Sequence, residues 1–190
     1  DVKLDMRMNT EQKISAYDVV NTYSEEQLSK IIFEYGEERY ARKIAKLIVE
    51  ERKSFPIEKT SDLIALIKRA YPERASKHPA KKTFQAIRIE VNRELEVLEN
   101  AMSKAVELLK VGGRLAIITF HSLEDRIVKN KFKDLATACK CPKDIPICVC
   151  GGVKKFEIIT KKPIIPVDDE LKNNNRAHSS KLRILERILD

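Results

Sequence analysis

The sequence predicts an α/β protein in two parts, a helical domain next to an incomplete α/β sheet. Three observations predict it. Apolar residues recur at gaps of three and four over the first hundred or so positions, which is the helical period. A continuous apolar, β-branched run, Arg114-Leu115-Ala116-Ile117-Ile118-Thr119-Phe120, then follows a Gly112-Gly113 pair. Beyond it, helical and extended patterns alternate, as they do where helices cover a sheet.

The elements follow in chain order. Ser24 with Gln27 three positions on reads as a capping box, and Leu28, Ile31, Ile32 and Tyr35 continue at helical spacing until Gly36 stops the helix. Tyr40, Ile44, Leu47 and Ile48 form the next apolar stripe, with Arg39, Arg42, Lys43 and Lys46 off it as a basic face. Pro56 ends that segment; Ser61-Asp62 opens a helix through Leu63, Ile64, Leu66 and Ile67, which Pro72 closes. One long helix is expected from about Lys82 to Lys110, with Phe84, Ile87, Val91, Leu95, Leu98, Met102, Ala105 and Leu109 as its stripe and Gly112-Gly113 as its left-handed stop. The run from Arg114 to Phe120 suits a strand buried on both faces of a parallel sheet. Ser122-Leu123-Glu124-Asp125 reads as an N-cap for a helix to about Ala136. Phe156 to Thr160 and the alternating Lys181 to Arg187 are the remaining strands.

Composition limits the function classes. The 190 residues are 43% apolar, enough for a buried core, and 35% charged, with 37 Lys and Arg against 29 Asp and Glu for a net charge of +8. No apolar run approaches the roughly 18 residues of a membrane span, and the polar start has no signal-peptide pattern. Four cysteines crowd into one loop, Cys139, Cys141, Cys148 and Cys150, rather than stapling the whole chain, which points to a reducing, cytoplasmic setting. The C-x-C pairs could hold zinc, although C-x2-C is the usual knuckle; a surface loop or labile thiol pair is the other reading. Of the five glycines none makes a G-x-G turn between strand and helix, so the chain by itself should hold a nucleotide-like cofactor poorly.

Three motifs carry chemistry. Thr119-Phe120-His121-Ser122-Leu123-Glu124-Asp125-Arg126 lies at the C-terminal end of the best strand, where α/β sheets place ligands; a capped turn with a solvated polar face is the alternative. Gln85, Arg88 and Asn92 share one face of the long helix and suit either base and phosphate contacts or an interdomain polar seam. Asn173 to Lys181, with Arg176 and His178, reads as a loop able to touch phosphates or simply as a solvated loop. Basic segments at Arg39 to Lys46, Arg74 to Lys82 and Lys129 to Lys133 could line a groove for a polyanion.

Together these motifs resemble one family. Gly112 through Arg126, His78 through Asn92, Leu4-Asp5-Met6-Arg7-Met8 and Asn174 through Arg183 are similar, in order, to signatures of the MraW/RsmH small-subunit rRNA cytosine-N4 methyltransferases. Thr119 stands where Ser is usual and His178 where Arg is usual, which weakens a phosphate-clamp reading of that position. The resemblance implies a helical substrate-recognition insertion, residues 10–80, set in a Rossmann-like S-adenosylmethionine-dependent domain. Residues 1–9 would end its first segment and 81–190 would form its C-terminal half. It implies transfer of a methyl group to N4 of a cytidine in 16S rRNA of the small ribosomal subunit. The family's S-adenosylmethionine-binding front is expected before Leu4, leaving this chain inactive alone, with no cofactor-binding residues of its own; a non-catalytic RNA-binding module is the alternative. His121 and Ser122 are then expected at the mouth of the catalytic pocket, and Asp125 and Arg126 beside it. Gln85, Arg88 and Asn92 are expected at the cytidine, Arg176 and Lys181 at the RNA backbone, and Arg39, Arg42, Lys43 and Lys46 at neighbouring rRNA. An unpaired strand edge would favour pairing with a second copy, a homodimer.

Overall fold

The computed structural model describes residues 1–72, 79–139, 141 and 151–190. It divides into two compact units, residues 1–94 and 95–190.

The first unit is helical: α1 (Ala16–Thr22), α2 (Glu25–Gly36), α3 (Ala41–Glu51), α4 (Thr60–Ala70) and α5 (Ala80–Asn92). The stripes expected from the sequence turn inward, with Val19, Val20, Leu28, Ile32, Ile44, Ile48, Leu63, Ile67 and Ile87 all fully buried in one cluster. Ser24 caps α2 as expected, its hydroxyl accepting from Gln27 N–H at 3.2 Å while the Gln27 side chain accepts from Ser24 N–H at 2.9 Å. A second box, Ser15 with Asp18, starts α1. The N-terminal segment belongs to this unit: Leu4 is buried in the same cluster, and its N–H donates to Glu58 O at 2.9 Å. The contacts divide after Glu94, because α5 packs against α2 and α1.

Gly36 is not the stop expected of it. It is the last helical residue of α2, and Glu37 takes the left-handed position with φ of +49°. Gly36 is needed for another reason: a Cβ there would lie 2.7 Å from the backbone oxygen of Lys82 on α5. The single long helix expected over 82–110 is also two helices. Arg93, with φ of +50°, separates α5 from α6 (Glu94–Leu108). At this break the Asn92 amide turns back, donating to Arg88 O at 2.9 Å and to Met6 O at 2.8 Å. Both helices keep the apolar period, so periodicity alone does not register the break.

The second unit runs α6, β1 (Arg114–Thr119), α7 (Ser122–Ala136), β2 (Phe156–Ile158), α8 (Asp168–Asn173), a 3-10 turn (Asn175–Ser179) and β3 (Lys181–Arg187). The three strands are ordered β1-β3-β2, and β3 runs antiparallel to both neighbours, so β1 and β2 are parallel to each other with α7 as their crossover and β3 set between them. This corrects two expectations. The described pairings are antiparallel, not those of a parallel sheet. β1 is also not buried on both faces: Leu115 and Ile117 face the core cluster, whereas Ala116 and Ile118 are exposed. Met102, Val106, Val128, Phe132, Phe156 and Leu185 fill that core. Helical turns replace much of the loop expected over 173–181. Gly112 takes φ of +82° in the turn before β1, and its N–H donates to Arg187 O at 2.7 Å.

Replacing Gly36 with Ala tests the close approach. Intrinsic helix propensity alone would stabilise α2 by up to about 1 kcal/mol. The clash with the α5 backbone should instead cost about 1–3 kcal/mol, read as a lower denaturant midpoint with an unchanged slope.

Candidate functional site

Two clusters of the expected site residues emerge, one in each unit. In the second unit the centre is the turn from β1 into α7. His121, not Ser122, is the N-cap; Ser122 is the first helical residue. His121 Nδ1 accepts from Glu124 N–H at 3.4 Å, and Glu124 Oε2 accepts from Phe120 N–H at 2.8 Å and from His121 N–H at 3.3 Å. An Nδ1 that accepts a backbone proton places the imidazole hydrogen of the neutral ring on Nε2. That nitrogen lies 3.5 Å from Glu124 Oε1, and the His121 side chain is only 8% exposed. The ring thus holds the turn together, while Ser122 and Arg126 are on the surface.

One turn further along α7, Asp125 is buried beneath two cations. Its carboxylate accepts from Arg183 Nε at 2.7 Å and Nη2 at 3.2 Å, and from Lys181 Nζ at 3.3 Å. The hydrogen bond from Arg183 is the main cause holding the Asp125 carboxyl below its ordinary value of 3.8; Lys181 adds to it, and burial opposes both. The alternation of β3 is accordingly inverted. Arg183 and Leu185 are the buried residues, and Leu182 and Ile184 lie on the opposite face. Arg183 was not among the expected site residues. Its sequence signal is a charge in step with Leu185 on a strand, with an acid waiting at a helix start. Arg176 is exposed, and its N–H donates to Asn174 Oδ1 at 3.1 Å.

In the first unit the centre is the C-terminal end of α5. Asn92 grips the Leu4-Asp5-Met6-Arg7-Met8 segment from both sides of its amide, donating to Met6 O at 2.8 Å and accepting from Met8 N–H at 2.8 Å. Arg7 shapes the same segment, meeting Asp5 at 2.7 and 2.9 Å and donating to Thr10 O and Gln12 O. Met6 between them has φ of +60°. Gln85 donates to Tyr35 O at 3.1 Å, which fastens α5 to α2. Arg88 forms a two-toothed pair with Glu94 at 2.7 and 2.9 Å and keeps 45% of its side chain in solvent. Two motifs far apart in sequence thus meet at one helix end, and Arg88 is an exposed cation beside them, as is Arg93. Arg39, Arg42, Lys43 and Lys46 are all exposed; the Arg39 guanidinium lies 4.7 Å above the Tyr40 ring, and Lys46 is 3.8 Å from Glu50.

Of the cysteines, Cys139 is exposed and Cys141 half-buried, while Cys148 and Cys150, like His78 and Arg74, lie outside the described residues. Among the described residues no helix is long and apolar enough to cross a membrane.

Comparison with known proteins decides the family. The profile of the MraW methylase family matches residues 1–188. The chain belongs to this family. Its relatives include a ribosomal RNA small subunit methyltransferase H from Fusobacterium nucleatum subsp. nucleatum, 97% identical over 190 residues, which covers all of this chain and 60% of the relative. Proteins of the same name from Clostridium botulinum (strain Kyoto / Type A2) and Caldicellulosiruptor bescii are 55% and 56% identical, over 99% and 97% of this chain and 62% and 61% of their own lengths. The chain therefore spans about three-fifths of the MraW-family relatives it matches.

The Asp125 pair makes a pH-dependent contribution. A carboxyl whose folded value is lowered stabilises fully above its unfolded value of 3.8, and that contribution is lost as pH falls through the folded value. Asp125→Asn should cost about 3 kcal/mol at neutral pH, because Arg183 is left buried without its counter-charge. The difference between variant and parent should shrink below about pH 4 in denaturant titrations.

Proposed function

We propose that this chain is the RNA-handling and C-terminal catalytic portion of a methyltransferase that modifies N4 of a cytidine in 16S rRNA of the small ribosomal subunit. The observation that carries the proposal is the family match over residues 1–188, together with relatives named for small-subunit rRNA methylation. The structure supports it by bringing the Met6 segment and the end of α5 together, with Arg88 in solvent beside them. A methyl acceptor inside RNA must leave its stack before its amine can be reached. Arg88 then supplies a planar cation able to pair with a phosphate or a base edge, already oriented by Glu94. Asn92 and Gln85 act as positioning residues, since their amides hold backbone. His121 and Glu124 likewise set the turn that presents Ser122.

S-adenosylmethionine is the methyl donor in this reading. We infer that its pocket lies largely outside this chain, which spans about three-fifths of its relatives' length. In the described turn from β1 to α7 the Phe120, His121 and Glu124 N–H groups donate to the Glu124 and His121 side chains, and the turn contains no glycine of the kind that lets a nucleotide approach the backbone closely. The remaining two-fifths of the relatives' length would supply that pocket, and the exposed face of β1 at Ala116 and Ile118 is a surface it could cover.

Arg88→Ala in the longer protein that carries this chain should lower methyl incorporation into 16S rRNA by about tenfold or more, the loss of one charge-assisted contact, with folding preserved. Tritium transfer from labelled donor to small subunits measures it. Unchanged turnover removes Arg88 from the site, and absence of any incorporation by the unaltered protein removes the methyltransferase reading.

A further inference from the structure

The face of the first unit formed by α2 and α3 carries a groove of about 590 Å³. Its lining combines one aromatic ring with charged side chains. Glu26, Lys30, Phe33 and Glu34 come from one face of α2, and Arg39 and Arg42 come from the start of α3 and the residues before it. Phe33 is 63% exposed, the single aromatic ring in the groove. Lys43 and Lys46 continue the positive charge along the exposed side of α3.

We propose that this groove is a binding subsite for single-stranded RNA, with one unpaired base stacked on Phe33 and the adjoining phosphates along Arg39 and Arg42. Here one flat ring stands among charged side chains. That combination matches a nucleotide strand, whose base has an apolar face and whose backbone is anionic. The charges also orient it. On the α2 side Lys30 stands between Glu26 and Glu34, whereas Arg39 and Arg42 line the α3 side with no acid among them, so the backbone follows the α3 cations and the base reaches Phe33 on α2. The subsite deepens the rRNA reading above by naming where flanking unpaired nucleotides are gripped.

The chain has no tryptophan, which makes a direct test available. Phe33→Trp places a lone indole on this surface, and a stacked base quenches indole emission. Titrating this variant of the 190-residue chain with a short single-stranded oligoribonucleotide should give saturable quenching. Inorganic polyphosphate, which has charge but no bases, should give none. Phe33→Ala should weaken oligonucleotide affinity by fluorescence anisotropy about tenfold, within the range for one lost stack, and Arg42→Glu should weaken it further while flattening the salt dependence. Anisotropy changes without quenching, or equal affinity for Phe33→Ala, would overturn the subsite and leave the rRNA reading standing. No oligonucleotide binding at low salt by the unaltered chain would overturn the subsite and the assignment of this helical face to RNA together.

Discussion

The second unit is organised around one buried ion pair. Asp125 sits near the start of α7 and Arg183 in the middle of the central strand, both about 8% exposed. Two opposite charges removed from water hold only if their hydrogen bonds are met, and here the guanidinium reaches the carboxylate with two nitrogens while Lys181 adds a third contact. This fixes which face of β3 meets α7. It also fixes where α7 begins, and so where the His121–Glu124 turn stands at the end of β1. Buried apolar residues such as Phe132 and Leu185 fill the space, but a one-residue slip of β3 would bring Leu182 or Ile184 opposite Asp125 and leave the carboxylate without a partner.

The first unit uses neutral amides for a comparable task. Asn92 and Gln85 each fasten α5 to backbone elsewhere, one to the segment at Met6 and Met8, the other to the end of α2 at Tyr35. Gly36 lets the two helices come close enough for this. The polar residues expected at a substrate therefore fall into two kinds. Some hold backbone in place, and others, Arg88 and the α3 cations among them, present charge to solvent. A site that must grip an extruded base needs both, because recognition by a planar cation is lost when its support shifts by an ångström.

Much of the fold was legible because it is local. The Ser24–Gln27 box, the helical stripes and the strands at Arg114 and Lys181 depend on spacing within a few residues. What escaped depends on distant partners. The break at Arg93 reflects Asn92 reaching a carbonyl 86 residues away. The inverted face of β3 follows from Asp125, 58 residues earlier. Antiparallel pairing could not be read from the β-branched run at Ile117-Ile118, whose composition suits a buried parallel strand as well. The turn between β1 and α7 stands where the strand and helix patterns put it, but its cap was assigned to Ser122 rather than His121, since imidazole is an uncommon capping group. The cooperation of Arg7, Met6 and Asn92 joins two motifs that no periodicity connects.

All of these surfaces acquire a purpose if the protein methylates the small-subunit RNA. Mass spectrometry of nucleosides from 16S rRNA, in cells whose gene carrying this chain has been disrupted and then restored, measures that directly. N4-methylated cytidine should fall on disruption and return on complementation. Its persistence at the parental level would contradict the assignment.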